Sequence, residues 1–272
     1  MKKRVVALID FSPYSENLMK LATSLAGEMK AKILLIHQIP GIVPALADNN
    51  SRREIIEVEK SDALEQLKAI SREIIPAKQS VNYLVTQREL PILLPEIGSR
   101  DSDDLILVGL KGTGLLKKIF IGSTASKIIE DLMVTTIAVP VKMDSFIMKK
   151  LVIAVNPKFP LNIPGLTHLL DTFKACIEEM EFISVITPDD NEIETLKYLK
   201  GLTEHYQGQV KCTFRMFTGE NVYKEVKTYV EQGEKPFLVL QKGSRTINDQ
   251  VFRKFLINDL VYHGNIPMII LP

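Results

Sequence analysis

The residues best placed to do chemistry lie in one stretch. Gly109, Gly112, Gly114 and Gly122 are followed at once by Ser123 and Thr124. A glycine-rich loop running into a helix start presents bare main-chain N–H groups at the positive end of the helix dipole, an arrangement that suits an anion such as phosphate. Without Cβ atoms, Gly109, Gly112 and Gly122 let a ligand come close to that main chain. The stretch contains no Gly-Lys-Ser/Thr triplet, so it is not a Walker A loop, and it lacks the G-x-G-x-x-G pattern of dinucleotide folds. Ser123 does not sit in a G-x-S-x-G elbow, and no histidine and acid are spaced to activate it, so a serine hydrolase is not expected. His37, His168, His205 and His263 show no zinc-binding spacing and are expected to pack in the core or on the surface. Cys176 and Cys212 stand far apart outside any C-x-x-C pattern and are expected to be buried free thiols.

The elements that position the loop can be read on either side of it. The apolar run Leu105 to Val108 predicts a buried strand ending at Gly109. Ser123 suits an N-cap, Ile128, Ile129 and Leu132 repeat at helical spacing, and Thr136 to Val141 predict a closing strand. Earlier in the chain, Val5 to Ile9 predict a first strand that ends in Asp10. Leu18, Leu21, Ala22, Leu25 and Ala26 then recur every three or four residues as one face of a helix. A second strand is expected at Ile33 to Ile36. After it come a long amphipathic helix over Arg53 to Ile75, with Ile55, Val58, Leu64, Leu67 and Ile74 near one face, a third strand at Val81 to Val85, and a helix over Leu90 to Ile97 in which Pro91 fits the first turn and Pro95 is awkward. Alternating strands and helices predict a parallel sheet.

The pattern then restarts. KKLVIAVN from Lys149 resembles the opening KKRVVALID, and Gly109 to Pro140 and Gln241 to Pro272 each span 31 positions by subtraction (140 − 109 and 272 − 241). Further elements are expected at Pro164 to Met180 (helix), Phe182 to Ile186 (strand), Glu192 to Tyr206 (helix), Val210 to Phe217 (strand) and Asn221 to Glu231 (helix). We read two tandem domains, 1–142 and 150–272. In an ungapped comparison Gln241 falls opposite Gly109, Ser244 opposite Gly112, Lys254 opposite Gly122 and Asn156 opposite Asp10. Side chains at those positions would crowd the space that the glycines leave open, so the second copy is not expected to hold the same ligand.

Composition sets outer limits. The chain has 272 residues, 46% hydrophobic, with a net charge of +1, which gives no reason to expect nucleic acid or an anionic membrane as the main partner. The apolar run after Lys2, Lys3 and Arg4 is too short for a signal core or a membrane span, and a cytoplasmic location is expected.

Gly109, Gly112 and Gly122-Ser123 together form G-x2-G-x9-G-S, and this signature, with the strand LILVG before it and VTTIAVP after it, resembles the ATP-binding branch of the universal stress protein family. The resemblance covers both halves in fold pattern and only the first in ligand motif. It implies an adenine nucleotide alpha hydrolase-like α/β fold, two open parallel five-stranded sheets in strand order 3-2-1-4-5 with helices on both faces. In that order the first and fourth strands are neighbours and Asp10 faces the glycine loop. The resemblance further implies ATP with Mg²⁺ as ligand. Val108, Gly109 and Gly112 would lie around ribose and phosphates, Gly122, Ser123 and Thr124 at the phosphate tail, and Gln38 beside the adenine, where the family usually has a small apolar residue. Asp10 would bind ribose hydroxyls or a hydrated Mg²⁺, or else cap the helix that follows it. Lys111, Lys117 and Lys118 would add electrostatic attraction or remain solvated.

The leading expectation is a nucleotide-responsive regulatory module in the stress response. It would not be an enzyme, or only a slow ATPase, since no general base or arginine finger can be named. It would form an intramolecular pseudo-dimer of its two domains, with a homodimer also open. The alternatives are a structural or protein-interaction member with a vacant loop and, less favoured, a true ATPase.

Overall fold

In the computed structural model the described residues are 2–40, 48–97, 102–109, 134–143, 145–233, 236–241 and 266–272. The chain divides into two compact units, Met1–Leu132 and Met133–Pro272.

The first unit is built on four parallel strands, β1 (Lys2–Leu8), β2 (Lys32–Gln38), β3 (Val81–Thr86) and β4 (Ser102–Gly109), in the order β3-β2-β1-β4. In β1, Val5, Val6, Ala7 and Leu8 are all buried, as an apolar run without alternation requires when both faces are covered. Helix α1 (Tyr14–Met29) packs on β1, β2 and β4 and buries the five expected residues Leu18, Leu21, Ala22, Leu25 and Ala26. It stops at Lys30, a left-handed cap (φ 51°) whose N–H donates to Ala26 and Gly27 carbonyls.

Helix α2 (Asn49–Ile74) starts four residues earlier than the apolar spacing predicts, because Asp48 caps it, accepting from the N–H groups of Asn50 and Ser51. Its buried residues are only Ala63, Leu67 and Ser71, while Ile55 and Val58 are exposed, so the apolar stripe expected along its whole length meets the core only in the second half. Helix α3 (Leu90–Ile97) matches its expected bounds and holds Pro95 within it. Strand β4 begins three residues before its apolar run. Its polar start is tied to β1 by Arg4 and Asp104, register partners whose side chains form a two-pronged salt bridge (Nε–Oδ1 2.8 Å, Nη2–Oδ2 2.5 Å).

In the second unit β6 (Lys150–Ala154), β7 (Glu179–Ile186), β8 (Lys211–Thr218), β9 (Phe237–Gln241) and β10 (Met268–Leu271) run parallel in the order β8-β7-β6-β9-β10. Counted from β6, that is 3-2-1-4-5. Beyond β10 lies β5 (Thr136–Val139), antiparallel to it through Met268↔Ala138 and Ile270↔Thr136. The three helices described in this unit, α4 (Ile163–Thr172), α5 (Glu192–Tyr206) and α6 (Val222–Gln232), are each preceded by an asparagine. Asn162, Asn191 and Asn221 each accept a hydrogen bond from the N–H three residues on, and so end one helix dipole after another in the same way. Helix α4 stops at Thr172 and not near Met180 as its apolar content suggests. The chain turns at Phe173 to Cys176, and the N–H groups of Glu178 and Glu179 are drawn to the Lys149 carbonyl, which starts β7 early.

Both units are therefore open α/β sheets of mainly parallel strands, as the sequence pattern requires. Among the described residues no helix is long and apolar enough to cross a membrane.

Candidate functional site

Parallel strands of an open sheet bring their carboxyl ends to one edge, and three adjacent strands of the first unit deliver candidate residues there. Asp10 follows β1, Gln38 ends β2, and Val108 and Gly109 end β4. The register fixes the alignment, with Leu8 opposite Ile36 on one side of β1 and Ala7 opposite Leu107 on the other. Val108 is 1% exposed, so its side chain belongs to the core and only its main chain is available to a ligand. Gln38 is half-buried. Gly112, Gly122, Ser123 and Thr124, with Lys111, Lys117 and Lys118, lie outside the described residues.

Asp10 is exposed, and its carboxylate folds back on the turn. Oδ1 accepts from the Ser12 N–H (3.0 Å) and from the Ser15 hydroxyl (3.5 Å), while the Ser12 hydroxyl in turn accepts from the Tyr14 N–H (3.3 Å). The helix-capping alternative for Asp10 does not hold: α1 starts after Pro13 with no side-chain cap, and Asp10 instead closes an Asx turn ahead of the helix, one oxygen carrying both bonds. The other oxygen makes no hydrogen bond among the described residues.

Gly109 has a structural reason of its own. A Cβ there would stand 2.9 Å from Cβ and 3.2 Å from Cγ of Tyr14 and 3.4 Å from Cδ1 of Leu18, so the first turn of α1 already fills the space that a side chain would need. Its open main chain and this close helix contact are compatible, but the second alone accounts for the glycine.

Two residues that sequence reasoning assigned no role join this edge. Phe11 has φ 57°, a left-handed conformation that is costly for a bulky side chain, and its ring lies 4.3 Å from that of His37 at an interplanar angle of 38°. His37 Nδ1 is 2.7 Å from the Ile9 carbonyl. A carbonyl can only accept, so Nδ1 carries the hydrogen and donates it. The only sequence signal for this pair was the position of His37 next to Gln38 at a strand end.

At the corresponding edge of the second unit side chains bond to the ends of the strands. Gln241, which ends β9, accepts from the Asn162 N–H through Oε1 and donates through Nε2 to the Pro160 carbonyl (3.0 Å); the Asn162 amide also donates to the Pro272 carbonyl (2.9 Å). The Asx turn persists without the carboxylate, since Asn156 Oδ1 accepts from the Lys158 N–H (2.9 Å).

Several charged groups of the second unit pair with one another. The buried Glu181 carboxylate receives the Tyr229 hydroxyl (2.5 Å) and ion pairs with Lys150 and Arg215, and burial together with that carboxylate pushes the Tyr229 phenol up to about 12. Among the described residues no group of three or more His, Cys, Asp or Glu is placed to hold a metal ion. A groove of about 620 Å³ is lined by α2 alone, from Asp62 to Arg72. Both cysteines are free; Cys176 is buried, and Cys212 is only half-buried.

Comparison with known proteins places these features in context. The family model described as universal stress protein family matches residues 1–140. No curated protein matches the chain. The fold is similar to the crystal structure of a universal stress protein from Archaeoglobus fulgidus, with 12% identity, a TM-score of 0.69, and coverage of 98% of this chain and 97% of that one. It is also similar to a functionally unknown protein from Pseudomonas aeruginosa (14% identity, TM-score 0.58, 100% and 92% covered). A third likeness is to the cytoplasmic domain of a prokaryotic cation chloride cotransporter (12% identity, TM-score 0.51, 99% and 95% covered). At these identities the likeness carries the fold alone.

Proposed function

The chain belongs to the universal stress protein family, and on that premise we propose that it binds one Mg²⁺-bound ATP in its first unit and acts as a nucleotide-responsive regulatory module in the stress response. In this reading the main chain at Val108, Gly109 and Gly112 borders ribose and phosphates, and Gly122, Ser123 and Thr124 hold the phosphate tail. Gln38 meets the adenine with its main chain, and the free oxygen of Asp10 takes ribose hydroxyls or the water shell of the cation. No general base is available, so turnover is slow or absent. The site is read as cytoplasmic.

The observation that carries the proposal is the contrast between two equivalent sheet edges. In the first unit Asp10, Gln38, Val108 and Gly109 end neighbouring strands, and the G-x2-G-x9-G-S motif follows; in the second the motif is absent and Gln241 at the matching strand end bonds to the main chain of Asn162 and Pro160. Calorimetry of the full chain with Mg-ATP tests it: one equivalent per chain is expected, and two equivalents or none would refute it. Gly122→Glu should remove binding while the chain still melts cooperatively.

A structural or protein-interaction role is the second reading. It is favoured by Gly109, whose missing side chain the Tyr14 contact explains without a ligand. Under that reading Mg-ATP at a hundredfold excess over any plausible dissociation constant produces no thermal shift, whereas binding of that strength adds about 2.7 kcal/mol.

A further inference from the structure

The two units supply an internal control for the residues around Asp10. Their first turns superpose by hydrogen bonding: Ile9 N–H donates to the Ile36 carbonyl (2.8 Å) in one, and Val155 N–H to the Ile183 carbonyl (2.9 Å) in the other. The register agrees, with Leu8 opposite Ile36 and Ala154 opposite Ile183. Asp10 thus corresponds to Asn156, Phe11 to Pro157 and His37 to Ser184. Both turns close with the same Asx bond, 3.0 Å in the first unit and 2.9 Å in the second.

What differs is everything that flanks the acid. Pro157 cannot take positive φ, so the second turn is unstrained, while Phe11 sits at φ 57°. Ser184 is buried and its hydroxyl finds no partner among the described residues, where His37 both donates to the Ile9 carbonyl and packs its ring, tilted, against Phe11. The fold makes this turn without an aromatic pair. Strain that the fold does not need is kept in the unit that also keeps the carboxylate and the glycine motif, the pattern of a preorganised site.

We infer that Phe11 and His37 are positioning residues that hold Asp10 for the nucleotide. His37 fixes the carbonyl just before Asp10, the Phe11 ring packed against His37 fixes the residue just after Asp10, and the carboxylate between them has one oxygen spent on the turn and the other without a hydrogen bond among the described residues. This rests on the reading of the first unit as a nucleotide site.

The test is Mg-ATP affinity of the full chain, by competition against a fluorescent ATP analogue, with melting followed in parallel. Phe11→Gly, which suits positive φ, and His37→Ser, the residue of the second unit, are each expected to weaken binding about tenfold with cooperative melting retained, a coupling usual for groups sharing one turn. Phe11→Tyr keeps the ring contact and should bind as the wild type does. In an Asp10→Asn background neither change should cost anything further. Equal losses with and without Asp10, or no loss in either single variant, overturn the inference and leave the nucleotide site standing. A wild-type chain that does not bind Mg-ATP overturns both. If Asp10→Asn alone abolishes binding, Phe11→Tyr decides, because failure to bind like the wild type refutes a role for the ring contact. If Phe11→Gly does not fold, His37→Ser carries the same comparison.

Discussion

Replacing Gly109 by alanine separates the two explanations of that residue. The new Cβ would lie 2.9 Å from Tyr14 Cβ and 3.2 Å from Cγ, against the 3.5–4.0 Å at which carbon atoms attract. Tyr14 Cβ is fixed to the backbone of α1 and cannot swing aside, so relief requires α1 to move off β4 by several tenths of an ångström, loosening the packing of Leu18 and its neighbours. Overpacking of this kind costs about 1–3 kcal/mol. Taking about 2 kcal/mol, the melting temperature of a chain this long should fall by about 4–8 °C. The assay is thermal melting by circular dichroism without nucleotide, beside Gly27→Ala. At Gly27, inside α1, a Cβ meets nothing within 4 Å, and alanine should stabilise by about 0.5–1 kcal/mol. Opposite signs at two glycines that touch the same helix are the expected result. A ligand-free Gly109→Ala chain as stable as the wild type would refute the packing argument and leave ligand access as the sole reason for the glycine.

Other expectations concern the polar ties. Arg4→Met strands the Asp104 carboxylate, whose side chain is 7% exposed, and should cost about 3 kcal/mol in urea unfolding, most of it recovered when Asp104 is also made Leu. Gln241→Ala leaves the Asn162 N–H unpaired and should lower stability by about 1–2 kcal/mol without creating a nucleotide site, as paired melting and calorimetry would show. Burial alone would raise the Asp190 carboxyl, but the Lys158 ammonium and the Thr187 donors outweigh it and hold the group at about 2, below its ordinary 3.8. A carboxyl lowered on folding stabilises above its ordinary value and loses that contribution as pH falls toward 2, so Lys158→Met should move the Asp190 titration upward by NMR.

Much of the architecture was legible because periodicity carries it. The buried runs of β1, β4 and β6 and the three-and-four spacing of α1 reflect which faces must leave water, and the bounds of α3 and α5 follow from their own residues. Boundaries were misread where polar residues decide them. Asp48 falls before the expected start of α2 and is its cap; Asp103 and Asp104 fall before the expected start of β4 and belong to it, with Arg4 on the neighbouring strand supplying the counter-charge to Asp104. The early start of β7 depends on the Lys149 carbonyl, some thirty residues away in sequence.

By itself the sequence determined the α/β alternation and the presence of the glycine motif after Val108 but not after Leu240, since these rest on residue type and spacing along one chain. Only the tertiary structure decided that Gly109 is pressed against Tyr14, that Gln241 ties down the second edge, and that Phe11 and His37 bracket Asp10. Those facts depend on which side chains meet across strands, and on a backbone angle that no single residue type prescribes.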